Sequence, residues 1–169
     1  MAIFSANLED LRELYIDQLR HLHSVETQLT EALPKMADAA TDGQLKQAFT
    51  THLQETRQHV KRLEKLLNKT EHSVDPKKSK GIASLIAEGE EIIKDAKDNA
   101  VRDAGLILAG QRAEHYEMAS YGAARNWAQI LGDEEAAQLL DETLKEEGHA
   151  DHLLTEISQM ANPRAYKAA

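Results

Sequence analysis

The sequence contains no cysteine, and aromatic residues make up only 4% of its 169 residues. Without cysteine the chain has no disulfide, no cysteine-ligated zinc site and no thiol nucleophile. No apolar run is long enough to cross a bilayer, and the amino terminus lacks the basic and apolar regions of a secretory signal. We therefore expect a soluble cytoplasmic protein without a membrane partner.

Basic residues are fewer than acidic ones: the chain has 20 basic and 29 acidic residues, which give a net charge of −9. Such a surface repels the phosphates of nucleic acids and tolerates cations. The one basic run, at Lys77, Lys78 and Lys80, is too short to serve as a nucleic-acid footprint. We expect no nucleic-acid partner, and the length predicts a single domain over residues 1–169.

Apolar residues spaced three, four and seven apart predict an all-α protein. Long helices are predicted at about 7–38, 43–69, 99–131 and 133–160, with a shorter one at about 80–96. Pro34 predicts a kink or an early end in the first helix, and the tail from Asn162 is expected to fray. The predicted amino-terminal caps are Asn7, the run Thr41-Asp42-Gly43, which also makes a turn, Ser79, and Asp98 with Asn99.

Short turns between long helices make antiparallel hairpins, and this chain has one such turn in each half. The polar segment from Thr70 to Lys80, with Pro76, reads as an exposed connection between the halves. The sequence therefore predicts a ferritin-like antiparallel four-helix bundle of two hairpins, with the fifth, short helix on the crossover. The acids of that short helix, Glu88, Glu90 and Glu91, are read as a solvated face.

Carboxylates interrupt the small, apolar stripe of the helix from Val101 to Leu131. At about 100° per residue, Glu114, Glu117 and Tyr121 share one face with Asp103 and several alanines. A buried ionised group is costly unless it is paired or binds a metal, so these acids need a partner. The other three long helices contribute further inward or border groups. These are Glu26 on the first helix, Glu55, His52 and His59 on the second, and Glu147 and Asp151 on the last.

Position along the bundle gives a second test of this grouping. In an antiparallel hairpin, residues equidistant from the turn lie at the same level. The midpoint of Glu26 and Glu55 falls at the turn near Ala40 and Thr41, so these two acids are expected to face each other. The same arithmetic around Gly132 pairs Glu117 with Glu147, and Glu114 with Asp151.

Clustered carboxylates repel one another unless cations neutralise them, and two divalent ions would do so. Oxygen-rich ligation with one or two imidazoles suits iron or manganese, and helical bundles host dinuclear sites of this kind. Tyr121 would be an outer hydrogen-bond donor or a redox-active phenol. The predicted metal ligands are Glu26, Glu55, His59, Glu114, Glu117, Glu147 and Asp151.

The Glu-x-x-His spacing typical of such sites is imperfect in this sequence. Its literal match, Glu146 to His149, places His149 opposite the apolar stripe, so we interpret it as a decoy. Taken alone, Glu55 and Glu146 read as surface acids with a partner one turn away, and His52 as a hydrogen-bonded core residue. The choice between Glu146 and Glu147, and between His52 and His59, stays open.

Four segments carry a resemblance that extends over nearly the whole chain. HLHSVETQLTEALPKM from His21, HLQETRQHVKRLE from His52, AEHYEMASYG from Ala113 and TLKEEGHADHLL from Thr143 resemble the YciE/YciF family of bacterial ferritin-like stress proteins. The resemblance implies a five-helix fold related to rubrerythrin and manganese catalase, an acidic core and a homodimer. Tyr116 and Trp127, predicted to point outward, would suit the dimer face.

Three functions are compatible with these observations. The first is a dinuclear iron or manganese oxidoreductase acting on peroxide or oxygen. The second is a metal-binding or storage protein without turnover, although no cage-forming surface is evident. The third is a metal-free helical dimer that acts through partner contacts.

Overall fold

The computed structural model describes residues 8–70 and 78–167. It is all-helical over these ranges, as the sequence predicted, and no helix among them is long and apolar enough to cross a membrane. The predicted cap Asn7 and the central part of the connection, including Pro76 and Lys77, lie outside the described residues. The helices are α1 (Leu11–Ala39), α2 (Gly43–Lys69), α3 (Lys80–Asp95), α4 (Asn99–Ile130) and α5 (Glu134–Lys167).

Side-chain caps fix the starts of three long helices. The carboxylate of Asp10 accepts from the Glu13 amide at the start of α1, which therefore begins a few residues later than predicted. The predicted caps Asp42 and Asp98 are confirmed, since each accepts two backbone N–H groups of its helix. Ser79 stands at the cap position of α3 but makes no side-chain capping hydrogen bond.

The long helices form the two predicted hairpins, α1–α2 and α4–α5, and α3 packs against α4 and α1. Gly132 closes the second hairpin with a φ of 78°, a conformation that glycine adopts without steric cost. The amide of Asp133 reaches back to the carbonyl of Ala128, which completes the helix-ending motif typical of such a glycine. Each hairpin thus presents one apolar face to the other.

The predicted early end of α1 at Pro34 and the predicted fraying of the tail from Asn162 are both wrong, for the same physical reason. The α1 helix continues through Pro34 to Ala39, because Leu33 and Ala37 on either side are buried in the core. Likewise, α5 continues through Pro163 to Lys167 rather than fraying. Its last turn is tied down by Arg164, whose guanidinium donates to Asp42 at 2.8 Å. In both cases tertiary contacts offset the hydrogen bond that proline removes.

Tyr116 and Trp127 do not point outward as predicted. Both are half-buried: Tyr116 packs against the core beside α3, and its hydroxyl lies 2.8 Å from Nε2 of His21. Trp127 packs against the core cluster at the opposite end of the bundle. The homodimer itself stays a prediction.

Asp103 joins the two hairpins at the α1–α2 turn. Its carboxylate, 4% exposed, accepts from the amides of Thr41 and Asp42 at 2.8 Å and from the Thr41 hydroxyl at 2.6 Å. Asp103 is thus a structural acid, although it shares the stripe of Glu114.

We expect Asp103→Asn to lower the free energy of unfolding by about 2 kcal/mol, because the amide cannot accept all three hydrogen bonds. Urea denaturation with an unchanged m-value would measure this loss. The exposed Asp95→Asn variant serves as the control. A change at Asp103 no larger than that of the control would contradict the assigned role.

Candidate metal centre

Four carboxylates from three helices meet in the interior of the bundle. Glu26 of α1, Glu114 and Glu117 of α4, and Glu147 of α5 are each at most 3% exposed. The remaining long helix, α2, contributes His52 and His59, which are 6% and 0% exposed. The apolar stripes carry these groups inward, so the sequence-derived orientation of Glu26, Glu114, Glu117 and Glu147 agrees with their burial.

One group of potential ligands comprises His52, Glu114, Glu117 and Glu147, whose donor atoms all lie within 4.8 Å of one another. Nε2 of His52 lies 3.3 Å from Oε1 of Glu114 and 3.5 Å from Oε2 of Glu147. One nitrogen and three carboxylate oxygens from α2, α4 and α5 therefore lie close enough together to bind one cation.

A second group comprises Glu26, His59 and Glu147, within the same 4.8 Å limit. Nδ1 of His59 lies 3.0 Å from Oε1 of Glu147 and 3.5 Å from Oε1 of Glu26. The carboxylate of Glu147 thus belongs to both groups, with Oε2 towards His52 and Oε1 towards His59. A carboxylate placed in this way can bridge two cations.

Most polar atoms of the two groups have no hydrogen-bond partner. Buried polar atoms are normally paired, because an unpaired one loses its water without compensation. Nδ1 of His59 lies near two carboxylates but without hydrogen-bond alignment. The unpaired atoms are Oε2 of Glu26, Nδ1 of His59, Oε2 of Glu114 and both carboxylate oxygens of Glu117 and of Glu147. This donor set fits divalent cations with oxygen-rich, partly nitrogen ligation.

The electrostatics of the cluster show how strongly it needs positive charge. Burial raises the pKa of Glu114 and of Glu117 well above the usual 4.5; neighbouring carboxylates raise both further, although His52 opposes the rise at Glu114. Burial also raises the pKa of Glu147, to about 7, against the opposing effect of His59. Burial lowers the pKa of His59, but the facing Glu147 and Glu26 outweigh it and raise that pKa to about 11. Without metal, protons would therefore supply the missing charge.

Each imidazole is also held from outside by a second carboxylate. Nε2 of His59 lies 2.8 Å from Oε2 of Glu146, which is itself paired with the guanidinium of Arg62. Nδ1 of His52 lies 3.3 Å from Oε2 of Glu55. In the neutral imidazole whose outer nitrogen carries the N–H and donates it to this carboxylate, the inner nitrogen has a free lone pair directed into the cluster, as in metal-binding histidines.

Tyr121 closes the cluster at the α1 side. Its hydroxyl donates to Oε1 of Glu26, and the phenol is fully buried. Burial and the nearby Glu26 raise the pKa of Tyr121 well above its usual value, so the phenol stays protonated. Tyr121 is therefore a hydrogen-bond donor that orients the Glu26 carboxylate, and its predicted alternative role as a redox-active phenol stays a prediction.

The structure does not bring all the predicted ligands together. Asp151 lies outside both groups, where its carboxylate contacts Gln111 and His115 at 3.3 Å each. Glu55 is one-third exposed and pairs with His52, so it does not face Glu26 as its level predicted. Glu26 faces His59 instead, one turn further along α2. His149 is exposed and belongs to neither group, in agreement with its interpretation as a decoy.

Two residues of the site were undervalued by sequence reasoning. His52 was read as a hydrogen-bonded core residue and Glu146 as a surface acid, yet His52 joins the first group and Glu146 holds His59. The available signal was the spacing of seven between His52 and His59. Two turns of helix place both imidazoles on one face, at two heights of the same cluster.

The outer partner Glu146 provides a test of the geometry. We expect Glu146→Gln to weaken binding of divalent metal by about 10–100-fold, because the amide no longer fixes the orientation and basicity of His59. Titration calorimetry with Mn²⁺ would measure the change. Glu142→Gln, one turn earlier on α5 and exposed, is the matched control. Equal affinities in both variants would rule out a role for Glu146 in metal binding.

A helical bundle with a crossover helix and a buried carboxylate–imidazole cluster between its long helices defines a ferritin-like bundle protein. The chain belongs to the family described as Domain of unknown function (DUF892), whose model matches residues 10–166. The protein YciF of Escherichia coli (strain K12) is 41% identical over 154 residues, which cover 90% of this chain and 92% of YciF. The sequence-based resemblance to the YciF family is thereby confirmed.

Solved structures agree with this assignment. The crystal structure of the E. coli stress protein YciF has a TM-score of 0.88 and 38% identity, and the match covers 92% of this chain and 98% of that one. YcfI of Rhodopseudomonas palustris has a TM-score of 0.86 and 34% identity over 90% of this chain and 98% of its own. A protein from Xanthomonas campestris, at 19% identity and a TM-score of 0.76, shares the fold.

Proposed function

We propose that the chain is a dinuclear metalloprotein that binds two divalent ions, iron or manganese, and reacts with a small oxidant such as peroxide or oxygen. The proposal rests on one observation: the two carboxylate oxygens of Glu147 have no hydrogen-bond partner and face two separate groups, each of which contains an imidazole. A buried carboxylate with both oxygens unpaired is costly unless cations bind to it.

The two ions would be held by different residues of the cluster. His52 and Glu114 would hold one ion and His59 and Glu26 the other, with Glu147 between the two. Glu117 adds a second negative charge beside this bridge, and oxygen-rich donor sets with one imidazole per ion suit iron and manganese. When bound, such ions polarise an oxidant and exchange electrons with it.

The physiological setting is inferred from the relative. E. coli YciF is called a stress protein, and this chain shares its fold and a large part of its sequence. We therefore extend the proposal to a role in stress responses, in which removal of peroxide or oxygen protects other molecules. The homodimer implied by the resemblance remains a prediction, which light scattering of the purified protein tests.

A metal-free protein that acts through partner contacts is the second candidate function. One observation favours it: the pKa of His59 is raised to about 11, so the imidazole carries a positive charge between Glu26 and Glu147. Burial raises the pKa of Glu114 and of Glu117 well above 4.5, so proton uptake by these acids would add to this compensation without metal. Metal content distinguishes the two functions.

The test combines metal content with peroxide consumption. Protein loaded with iron or manganese should contain about two equivalents per chain and consume hydrogen peroxide, as expected for a dinuclear centre. A Glu26→Ala/Glu114→Ala variant should lose both properties, whereas Glu91→Ala/Glu134→Ala, with two exposed acids, should keep them. Bound metal without peroxide or oxygen consumption would leave a metal-binding protein without turnover, and absence of metal would favour the second candidate.

A further inference from the structure

A groove between α2 and α5 leads from the surface to one end of the cluster. It encloses a cavity of about 60 Å³, and its inner end is formed by His52 and Glu114. Thr51, Glu55 and His149 line the same groove and are exposed or partly exposed. The cluster is therefore connected to the surface on the side of the first ligand group.

The two ligand groups differ in this respect. His52 and Glu114 line the groove, whereas Glu26, His59 and Glu147 do not and are 0% exposed. The carboxylates that hold the two imidazoles from outside also differ in their access to the groove. Glu146 behind His59 is neutralised by Arg62, whereas Glu55 behind His52 lines the groove itself.

The walls of the groove favour small molecules without negative charge. Phe49, Leu153 and Leu154 supply apolar surface, and the alanines at positions 48 and 150 leave space between them. A cavity of about 60 Å³ accommodates only a few atoms the size of water oxygen. Anions are disfavoured because Glu55 and Glu114 lie at the two ends. At the inner end, the carboxylate oxygen Oε2 of Glu114 has no hydrogen-bond partner.

We propose that this groove is the entry path by which a small uncharged oxidant, of the size of hydrogen peroxide or dioxygen, reaches the metal position at His52. The inference rests on the proposed function and adds the route by which the oxidant enters. It also assigns unequal roles to the two positions: the His52 position meets the oxidant, and the His59 position is shielded.

Nitric oxide is a suitable probe, because it is a small neutral diatomic whose binding to ferrous iron is detected without turnover. Thr51→Trp places a large ring at the mouth of the groove, and Ala150→Leu fills its interior. Thr50→Trp is the matched control, since Thr50 is also exposed on α2 but does not line the groove. All variants are loaded with ferrous iron anaerobically and mixed with nitric oxide in a stopped-flow instrument.

We expect both groove variants to bind nitric oxide at least about tenfold more slowly than the parent, an increase of ~1.4 kcal/mol in the barrier. Their iron content and the rate of the Thr50→Trp control should be unchanged. Parental rates in iron-loaded Thr51→Trp and Ala150→Leu would overturn the entry path and leave the metal centre intact. If Ala150→Leu does not fold, Thr51→Trp alone decides the question, because its side chain is exposed. A parent protein that binds no iron would instead overturn the proposed function, and the entry path with it.

Discussion

Glu147→Gln is expected to abolish binding at both metal positions, whereas other single ligand changes affect one position more than the other. The reason is that Glu147 is the one residue shared by the two groups found among the described residues. Its loss should exceed the about 10–100-fold weakening that follows removal of an outer partner. Manganese titration, with elemental analysis after gel filtration, measures the number of ions and their affinities.

Variants of ligands that belong to only one of the two groups show whether the effect of Glu147→Gln on both ions is specific to Glu147. Glu26→Gln should mainly weaken the ion at His59, and His52→Ala the ion at the groove, so that each keeps about one tight equivalent. Gln replaces Glu147 at nearly the same volume, so unchanged circular dichroism is expected. A Glu147→Gln protein that still binds two ions with parental affinity would show that Glu147 is not a bridging ligand.

Glu117→Gln should make the metal-free protein more stable, by about 2 kcal/mol at pH 8. Glu117 is 0% exposed, both of its oxygens are unpaired, and the carboxylates of Glu26, Glu114 and Glu147 surround it. A neutral amide removes this repulsion and can donate to a neighbouring carboxylate. Stabilisation by a core substitution is unusual, and it is expected where a site is kept for function.

The stability gained by Glu117→Gln should increase as the pH rises. Because burial raises the pKa of Glu117 above 4.5, the folded protein binds its proton more tightly than the unfolded chain does. The stability provided by that proton is complete below pH 4.5 and is lost as the pH rises through the folded-state pKa. The advantage of Glu117→Gln should therefore be small at pH 5 and larger at pH 8.

Urea unfolding in the presence of a chelator, at both pH values, measures this effect. The exposed Glu91→Gln variant controls for the change in net charge. A Glu117→Gln protein less stable than the parent at both pH values would mean that the carboxylate makes favourable contacts in the metal-free state. In the presence of Mn²⁺ the order should reverse, because ligand binding stabilises the parent more strongly.

The fold was largely predictable because its determinants are local. Apolar spacing marked all five helices, and the caps Asp42 and Asp98 were recognised from residue type and position. The continuation of α1 through Pro34 and of α5 through Pro163 was not predictable in this way. There the helix is maintained by contacts with distant residues, such as Arg164 with Asp42, and local propensity carries no information about those contacts.

The acidic half of the site was also predictable, since four inward carboxylates follow from helical periodicity alone. Partner assignment required more than periodicity. Asp151, one turn after Glu147, is rotated by about 40° on an ideal helix, enough to turn it towards Gln111 at the edge of α4. Glu55 is displaced in the same way towards the surface, and His52 takes the inner position next to Glu114. Where two neighbouring residues lie at the border of an apolar stripe, a small rotation about the helix axis decides which of them faces inward. The spacing of residues in the sequence does not reveal a rotation of this size.

The most direct test of the central claim is anomalous X-ray diffraction from crystals of the manganese-loaded protein, collected above and below the metal absorption edge. Two anomalous peaks are expected per chain, one among His52, Glu114, Glu117 and Glu147, and one among Glu26, His59 and Glu147, with the Glu147 carboxylate between them. Electron density without anomalous signal inside the bundle, or peaks confined to surface acids, would contradict the metal centre.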